Sequence, residues 1–220
     1  TFTNNTADGV DGGGMYNNYS SPTLTNCTFT GNTADSLGGG GLGGGMYNFF
    51  SSPTLTNCTF ENNTANSGGG MYNYESSPTL DGCTFTGNTT TGDGGGMVNR
   101  YSSPTLTNCI FTWNFTSNCG GMDNGNYSSP TLTNCTFTNN TANYSGGGMC
   151  NRYYSSPTLD TCTFTGNTSW SNVYGGGGMQ NYSSNPILTN CTFQNNTASY
   201  GGGMRNENYS SPTLTNCTFT

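Results

Sequence analysis

The sequence predicts an all-β solenoid, a parallel β-helix of about eight coils with roughly 26 residues and three short strands per coil. Three observations favour this fold class: a repeat that runs through the whole chain, apolar clusters too short for helices, and complete columns of asparagine. A fixed period of this size is typical of stacked repeat architectures. We expect residues 1–220 to form one such domain, open at both ends, within a longer chain or an end-to-end filament.

The repeat is marked most clearly by its prolines. All eight prolines recur at intervals of 25 to 31 residues, and each is followed by Leu two residues later, Cys five later and Phe seven later. They are Pro22, Pro53, Pro78, Pro104, Pro130, Pro157, Pro186 and Pro212. Each methionine follows Gly-Gly and precedes its proline by seven or eight residues. One unit therefore reads G-G-G-M-x-N, a short polar stretch, S-S-P-T-L-T-N-C-T-F-T, and x-N-T.

Each unit holds three apolar clusters, around Met, around Pro-x-Leu and around Cys-x-Phe, each three to five residues long. These clusters are separated by Gly, Ser, Asn or Asp, and the gaps leave no room for helices. In Cys-x-Phe, apolar residues alternate with Thr, which is the period of a strand with one buried face. Leu and Cys are three residues apart, so the residue before Cys, Asn in six of eight copies, is predicted to bend the chain and turn both inward.

Two columns of asparagine are complete, one lying three residues after the Phe of each Cys-x-Phe and the other two residues after each Met. Asn tolerates left-handed turn conformations, and stacked amides can hydrogen-bond along a column. Between the first column and the next Gly-Gly the chain varies from four residues (64–67) to ten (33–42). That variation predicts a solvent-facing corner that accepts insertions.

The G-G-G-M-x-N and N-C-x-F-x-x-N elements resemble the right-handed parallel β-helix repeats of bacterial surface proteins, including polymorphic outer membrane proteins and autotransporter passenger domains. The resemblance spans the whole chain. It implies a right-handed coil and an exported, surface-associated protein. Proteins of this kind include adhesins, structural fibres and, with other residues, polysaccharide-degrading enzymes, so the resemblance does not define a function.

Composition argues against most enzyme chemistry and against nucleic acid as a partner. The chain has no His, no Lys and only three Arg, so most general bases, amine nucleophiles and phosphate clamps are missing. A net charge of −7 supplies few cations for a phosphate backbone. The ten acidic residues are not expected to cluster, with Asp93 in the variable corner and Asp123 near the Met turn. We therefore expect no catalytic residues, no cofactor and no metal site. No apolar run approaches the length of a membrane span.

The cysteines divide into a column and two outliers. Eight of the ten occupy one inward position of the repeat: Cys27, Cys58, Cys83, Cys109, Cys135, Cys162, Cys191 and Cys217. We interpret them as a ladder of buried thiols, with disulfide cross-links and zinc as less favoured alternatives. Cys119 replaces the first glycine of its triplet and Cys150 follows Met149. Measured along a straight strand they are roughly 13 Å apart, so we expect them to stay unpaired.

An outer column of aromatic residues precedes Ser-Ser-Pro in most copies. It either packs edge to edge over the Met turn or forms a platform for sugar rings or a partner. The candidate platform residues are Tyr19, Tyr101, Tyr127, Tyr154 and Tyr209. The triple glycines beside them either form turns or leave a flat stripe, free of side chains, that another molecule approaches.

N-glycosylation sequons number 17, against about ten expected by chance from the composition. Sites near loops are the better candidates for sugar attachment: Asn4, Asn18, Asn62, Asn126, Asn139, Asn143, Asn181, Asn195 and Asn208.

The leading functional hypothesis is a non-enzymatic structural protein, an extracellular or cell-surface rod, stalk or filament that can carry glycans. Low charge, absent Lys and abundant Thr, Asn, Gly and Tyr are typical of a wall or fibre component. Its expected partners are further copies of itself, stacked end to end, and glycans. The alternative is a cell-surface adhesin or carbohydrate-binding module that uses the Tyr column. A hydrolase or lyase is the third class, and it would need an Asp or Arg cluster that the sequence does not indicate.

Overall fold

In a computed structural model that describes residues 1–9, 11–35 and 40–220, the chain forms a solenoid of short parallel strands. The described residues make four sheets, and each strand pairs with the equivalent strands of the coils before and after it. This confirms the all-β parallel solenoid of about eight coils with about 26 residues per coil. We name three of the sheets after the inward residue of their strands, the Met, Leu and Phe sheets, and call the fourth the corner sheet.

The Met sheet has eight strands: Met15–Asn18, Met46–Phe49, Met71–Tyr74, Met97–Arg100, Met122–Gly125, Met149–Arg152, Met179–Tyr182 and Met204–Glu207. The Leu sheet has eight: Thr23–Thr25, Thr54–Thr56, Thr79–Asp81, Thr105–Thr107, Thr131–Thr133, Thr158–Asp160, Ile187–Thr189 and Thr213–Thr215. The Phe sheet has nine: Phe2–Thr3, Thr28–Thr30, Thr59–Glu61, Thr84–Thr86, Ile110–Thr112, Thr136–Thr138, Thr163–Thr165, Thr192–Gln194 and Thr218–Phe219.

The corner sheet corrects the prediction of three strands per coil to four. Its strands are Thr6–Asp8, Thr33–Asp35, Thr64–Ala65, Thr89–Thr90, Phe115–Thr116, Thr141–Ala142 and Thr168–Ser169. They occupy the start of the segment that the sequence assigned to a variable loop. The residue before each Asn of the first column, such as Asn4 or Asn62, has a left-handed backbone that bends the chain. The two or three residues after the column Asn then pair with the coils above and below before the insertions begin. A small inward residue such as Ala34, Ala65 or Ala142 closes the core at this corner.

The predicted bend between Leu and Cys is confirmed. The residue before each Cys has a left-handed backbone, with φ between 51° and 63°. These residues are Asn26, Asn57, Gly82, Asn108, Asn134, Thr161, Asn190 and Asn216. Asn and Gly adopt this conformation with the least strain, which explains why they predominate here. The bend places Leu and Cys on the same, inner side of the coil. Both columns are buried in the central coils.

The core is a set of identical residues in register. Met pairs with Met, Leu with Leu and Phe with Phe from one coil to the next, as in the pairs Met71↔Met97, Leu80↔Leu106 and Phe85↔Phe111. The phenylalanine rings form a parallel stack with centroids 4.4 to 4.8 Å apart. This spacing equals the distance between neighbouring strands. Ring stacking and backbone pairing therefore stabilise the same register.

Both asparagine columns are hydrogen-bonded ladders. In the first, each side-chain amide donates to the Oδ1 of the next Asn at 2.8 to 3.0 Å. From Asn32 onward the same Nδ2 also donates to a Phe carbonyl of the preceding coil. The second ladder runs from Asn17 to Asn206 with spacings of 2.8 to 3.0 Å. The asparagine amides inside the coil are thus paired along its axis.

Candidate binding face and ion-pair cluster

Apart from the variable corner, the coils differ from one another chiefly on the outer face of the Met sheet. Met and the following Asn point inward, so the residues one and three positions after Met point outward. The first of these columns reads Tyr16, Tyr47, Tyr72, Val98, Asp123, Cys150, Gln180 and Arg205. The second reads Asn18, Phe49, Tyr74, Arg100, Gly125, Arg152, Tyr182 and Glu207. All three arginines of the protein lie here, and we call this surface the Met outer face.

A disulfide joins Cys119 to Cys150, with the Cα atoms 5.5 Å apart. The expectation that these cysteines stay unpaired is wrong, because the glycine corner does not continue the straight line of the Met strand. At Gly146, an added Cβ would lie 3.1 Å from the Cys150 sulfur, and at Gly94 it would touch the Val98 side chain. The first residue of the triplet therefore folds back over the residue after Met. Cys119 occupies that first position in its coil, which brings it onto Cys150 of the next.

Two acidic residues cluster with two arginines, contrary to the expectation that the acids lie apart. Arg100 contacts Asp93 at 2.9 Å and Asp123 at 2.5 Å, and Arg152 contacts the same two carboxylates at 3.0 and 2.5 Å. Gly125 lies in the outward column between the arginines, where an added Cβ would come within 3.0 Å of the Arg100 guanidinium. The missing side chain gives the two arginines room to converge on Asp123.

Charge pairing controls the protonation of this cluster. Burial by itself raises the pKa of the Asp123 carboxyl, but the charges of Arg100 and Arg152 outweigh it, and the net pKa is lowered. The pKa of Arg152 is raised, chiefly by the Asp123 charge. The Asp123 carboxyl is thus held ionised, and both carboxylates are occupied by guanidinium groups. A carboxylate in this state is poorly suited to general acid or base catalysis near neutral pH, so the cluster serves better to connect three successive coils.

The disulfide borders the ion-pair cluster. One ligand atom each of Cys119, Asp123 and Cys150 lies within 4.8 Å of the others. Two thiolates and a carboxylate would suit zinc, but the sulfur atoms are bonded to each other and the Asp123 carboxylate accepts hydrogen bonds from both arginines. The three residues therefore do not make a metal site in this state.

The eight column cysteines are free and stacked, with the central six buried. Their thiols donate to the Leu carbonyl of the preceding coil, as Cys109 does to Leu80 at 3.8 Å. Thiol–thiol hydrogen bonding, and then burial, raise the pKa of Cys109. Hydrogen bonds from neighbouring thiols lower the pKa of the alternate members Cys83 and Cys135, but the central six thiols are all closed off from solvent. A cysteine that no reagent can reach is inert, so this column acts as core packing, as the sequence indicated.

The glycine triplets do not form an accessible stripe. Their second and third residues are buried from Gly44 to Gly178. A Cβ on Gly45 would lie 2.6 Å from the Gly70 carbonyl oxygen and 2.7 Å from the Phe60 ring. Glycine is required here because neighbouring coils and the phenylalanine stack approach too closely for any side chain. The stripe therefore offers no binding surface.

The predicted platform tyrosines are on the surface, 49 to 96% exposed. The column is not continuous: Tyr19 stacks on Phe50 with centroids 5.1 Å apart, and Tyr127 stacks on Tyr154 at 5.5 Å. Glu75 and Ser183 take the equivalent left-handed position in two coils and interrupt it. Both interpretations of the column keep support, since rings pack in pairs and still expose much of their surface.

Of the candidate sequon asparagines, eight are at least partly exposed: Asn4, Asn18, Asn62, Asn126, Asn139, Asn143, Asn195 and Asn208. Asn181 is the exception and corrects the prediction. It is fully buried, and its amide nitrogen donates to Asn206 within the second ladder. An amide in this position has no room for a sugar.

The repeat pattern does not predict the ion-pair cluster, the disulfide or the buried Gln180. A usable signal existed, because Cys119, Asp123, Cys150 and Gln180 each depart from the Gly or Tyr consensus of their position. These departures lie in consecutive coils. Their shared place on the Met outer face becomes visible only once the coils are stacked.

Among the described residues, no helix has the length and apolar character needed to cross a bilayer. A family model described as "Right handed beta helix region" matches residues 1–140 and 92–220, which together span the chain. No curated protein matches its sequence. The chain belongs to the right-handed β-helix family.

Proposed function

We propose that this right-handed β-helix protein is a non-enzymatic structural module, a rigid rod or stalk that works outside the cell. The observation that carries the proposal is the continuity of its ladders. The phenylalanine stack and both asparagine ladders run through the coils without a substitution. A third ladder joins backbone amides to serine hydroxyls, from Ser20 to Ser210, at 2.8 to 3.1 Å.

These ladders explain how the rod would resist bending. A bend opens the spacing between coils on one side, and this lengthens hydrogen bonds and separates rings that sit at contact distance. Because columns lie on several sides of the coil, bending in any direction strains at least one of them. A solenoid of eight coils is about 35 to 40 Å long at the usual strand spacing, so one chain makes a short, stiff segment.

The Cys119–Cys150 disulfide supports a location outside the cell, since disulfides persist in oxidising compartments. Occupied carboxylates in the ion-pair cluster support a non-enzymatic role. We extend the proposal to end-to-end stacking of chains, because each coil presents the same inward columns to its neighbour and a second copy would continue them.

Electron microscopy of the purified chain across a range of concentrations tests this function. We expect rods of constant width that lengthen with concentration, with an axial repeat of about 35 to 40 Å per chain. Leu106→Asp cannot be used to test association, because a charge in the core of a central coil would unfold the chain. Short particles that never assemble, at any concentration at which the chain stays folded, would refute the filament.

A second candidate is a carbohydrate-binding surface module, favoured by the backbone of the Tyr column. Tyr19, Tyr101, Tyr127, Tyr154 and Tyr209 have φ between 48° and 65°. A left-handed conformation costs a residue with a Cβ roughly 1–2 kcal/mol, and Asn or Gly would adopt it more easily, as they do at the Leu–Cys bend. Exposed rings held in strained backbone are typical of functional surfaces.

The matching experiment replaces Tyr101, Tyr127 and Tyr154 together by Ala, which keeps the Cβ and hence the backbone strain. Binding to a glycan array or to whole cells should fall while the thermal transition stays in place. Tyr16→Ala, an exposed tyrosine outside the column, is the matched control. Unchanged binding in the triple variant would refute the carbohydrate-binding role of the Tyr column and favour a purely structural role.

Glycan decoration is a separate part of the proposal, supported by the exposure of Asn4, Asn18, Asn62, Asn195 and Asn208. Sugar on these residues would solvate a surface that carries little charge. Intact mass spectrometry of native material decides it. A mass equal to the unmodified 23.0 kDa chain would refute decoration.

A further inference from the structure

A cleft opens on the Met outer face, between the coil of Met149 and the coil of Met204. Its volume is about 230 Å³. The lining consists of Asn118, Tyr144, Ser145, Arg152, Tyr153, Tyr174, Gln180, Tyr182 and Glu207. It lies apart from the platform tyrosines and includes none of them. Its walls are aromatic and its floor is polar.

Four tyrosines form the walls. Tyr144, Tyr153, Tyr174 and Tyr182 are 38 to 59% exposed, so their rings face solvent. Tyr153 meets Tyr182 edge-on, with centroids 6.1 Å apart and planes 72° apart. Tyr153 also has a left-handed backbone, with φ of 55°. Rings at such an angle form a corner that can contact a flat ligand on its face and on its edge.

Gln180 forms the floor, and it is only 6% exposed. Its Nε2 donates to Glu207 Oε1 at 3.0 Å, which fixes the orientation of the amide. Its Oε1 is buried and accepts no hydrogen bond from the described residues. A buried acceptor left unpaired costs about 1–3 kcal/mol. Gln180 lines the cleft and its unpaired acceptor lies just beneath the surface, so a donor from outside the chain reaches it once the side chains that cover it move aside.

The charges around the cleft are already paired. Arg152 is engaged by Asp93 and Asp123, and Glu207 accepts from Arg205 Nε at 2.7 Å. Among the described residues, the charged groups around the cleft thus balance one another and leave no net charge to attract an ion. Hydroxyl groups are the neutral donors that suit a single buried amide oxygen, and a ring with an apolar C–H face suits tyrosine walls.

We propose that this cleft binds one neutral pyranose unit, the terminal or a branching sugar of a glycan. A ring hydroxyl donates to Gln180 Oε1 while the C–H face of the sugar lies against Tyr153 or Tyr182. The volume is below the ~300–1,000 Å³ of pockets for drug-sized ligands, which limits the site to one sugar ring. This site does not depend on the rod proposal or on the Tyr column, since it uses other residues.

Saturation-transfer NMR and calorimetry with the methyl glycosides of glucose, galactose and N-acetylglucosamine test the proposal on the intact chain. At least one should bind with Kd of about 1 mM or tighter, which is ordinary for a single ring with few contacts. Gln180→Leu should weaken it tenfold or more, because Leu keeps the volume and removes the acceptor. Gln194→Leu, the same change at an exposed position on the Phe sheet, should leave it unchanged.

Tyr174→Ala gives a second variant that keeps the test valid if Gln180→Leu fails to fold. Tyr174 lies in the variable corner, outside the strands, so its loss should spare the fold and still weaken binding several-fold. Tyr16→Ala is its control. Three results would overturn the proposal: no glycoside bound at about 50 mM, equal losses in the control variants, or binding of tetramethylammonium in preference to every sugar, which would assign the tyrosines to a cation cage.

Discussion

Phe137 lies in the middle of the phenylalanine stack and provides the most direct test of how the coils hold together. Its side chain is fully buried, and its ring contacts Phe111 at 4.8 Å and Phe164 at 4.7 Å between centroids. Replacing it with Ala removes the ring and leaves a cavity flanked by two rings. The backbone pairing of the strand Thr136–Thr138 stays available.

The expected cost follows from this environment. Phe→Ala in a core costs about 3 to 5 kcal/mol, and the upper half of this range applies because the neighbours are held at strand spacing and cannot close the gap. Each lost ring contact is worth about 0.5–1.5 kcal/mol within that total. Since each ring contacts the coil above and the coil below, the loss affects two interfaces. We expect the coils of Phe111 and Phe164 to loosen as well.

Urea denaturation measures the loss in the free energy of unfolding, and native-state hydrogen exchange measures how far the loosening spreads along the coils. Exchange should accelerate in the coils on both sides of Phe137. Two variants serve as controls. Glu61→Ala changes an outward residue of the same sheet, and Phe115→Ala removes a partly exposed ring. Each should lower the free energy of unfolding by less than about 1 kcal/mol. The column explanation is wrong if the Phe137→Ala effect stays within its own coil, or if Glu61→Ala is equally damaging.

Three further outcomes follow from the other contacts. Asp123→Asn should cost about 3 to 5 kcal/mol, because it leaves two largely covered arginines, 13 and 21% exposed, sharing the single carboxylate of Asp93. The folded-state pKa of Asp123 is lowered. Its contribution to the free energy of unfolding is therefore complete above the unfolded pKa of about 3.9 and is lost as pH falls below that value. Between about pH 2 and 5 the free energy of unfolding of the native chain should depend on pH more steeply than that of the variant. Replacing Cys119 and Cys150 together by Ala should lower the free energy of unfolding by about 3 to 4 kcal/mol, the loop-closure value for a separation of 31 residues, and dithiothreitol should do the same to the native chain but not to the variant. Asn114→Ala should destabilise more than Asn124→Ala in thermal melts, because the Asn114 amide donates to both a Phe carbonyl and the next Asn, whereas the Asn124 amide donates to the next Asn; equal costs would contradict this ranking.

The regular part of the structure could be predicted because it repeats. Asn at six of eight Leu–Cys bends, and complete Met, Phe and Asn columns, leave one arrangement in which like residues stack. The corner sheet could not be predicted in this way. Its strands of two or three residues, such as Thr64–Ala65, are too short to show an alternation, and pairing with neighbouring coils rather than local pattern makes them strands.

The irregular contacts were missed for a geometric reason. A straight strand would keep Cys119 and Cys150 roughly 13 Å apart, but the glycine corner folds the triplet onto the residue after Met. Likewise, Asp93 and Arg152 are 59 positions apart in the sequence and meet only because the coils carry Asp93 toward the Met outer face. No periodicity encodes such a contact, since it occurs once.

The same physics explains why the special residues gather on one face. A residue in the phenylalanine stack or an asparagine ladder contacts its like on both sides, so a substitution there disrupts two interfaces. An outward residue of the Met sheet has no such requirement, and the glycine corner partly covers it from water. This combination permits varied residues and yet allows them to be buried. Asp123 and Gln180 use it in opposite ways: the carboxylate is neutralised by two arginines of the chain, whereas the amide oxygen stays unpaired beside a cleft. The first arrangement joins coils, and the second leaves a place for a ligand.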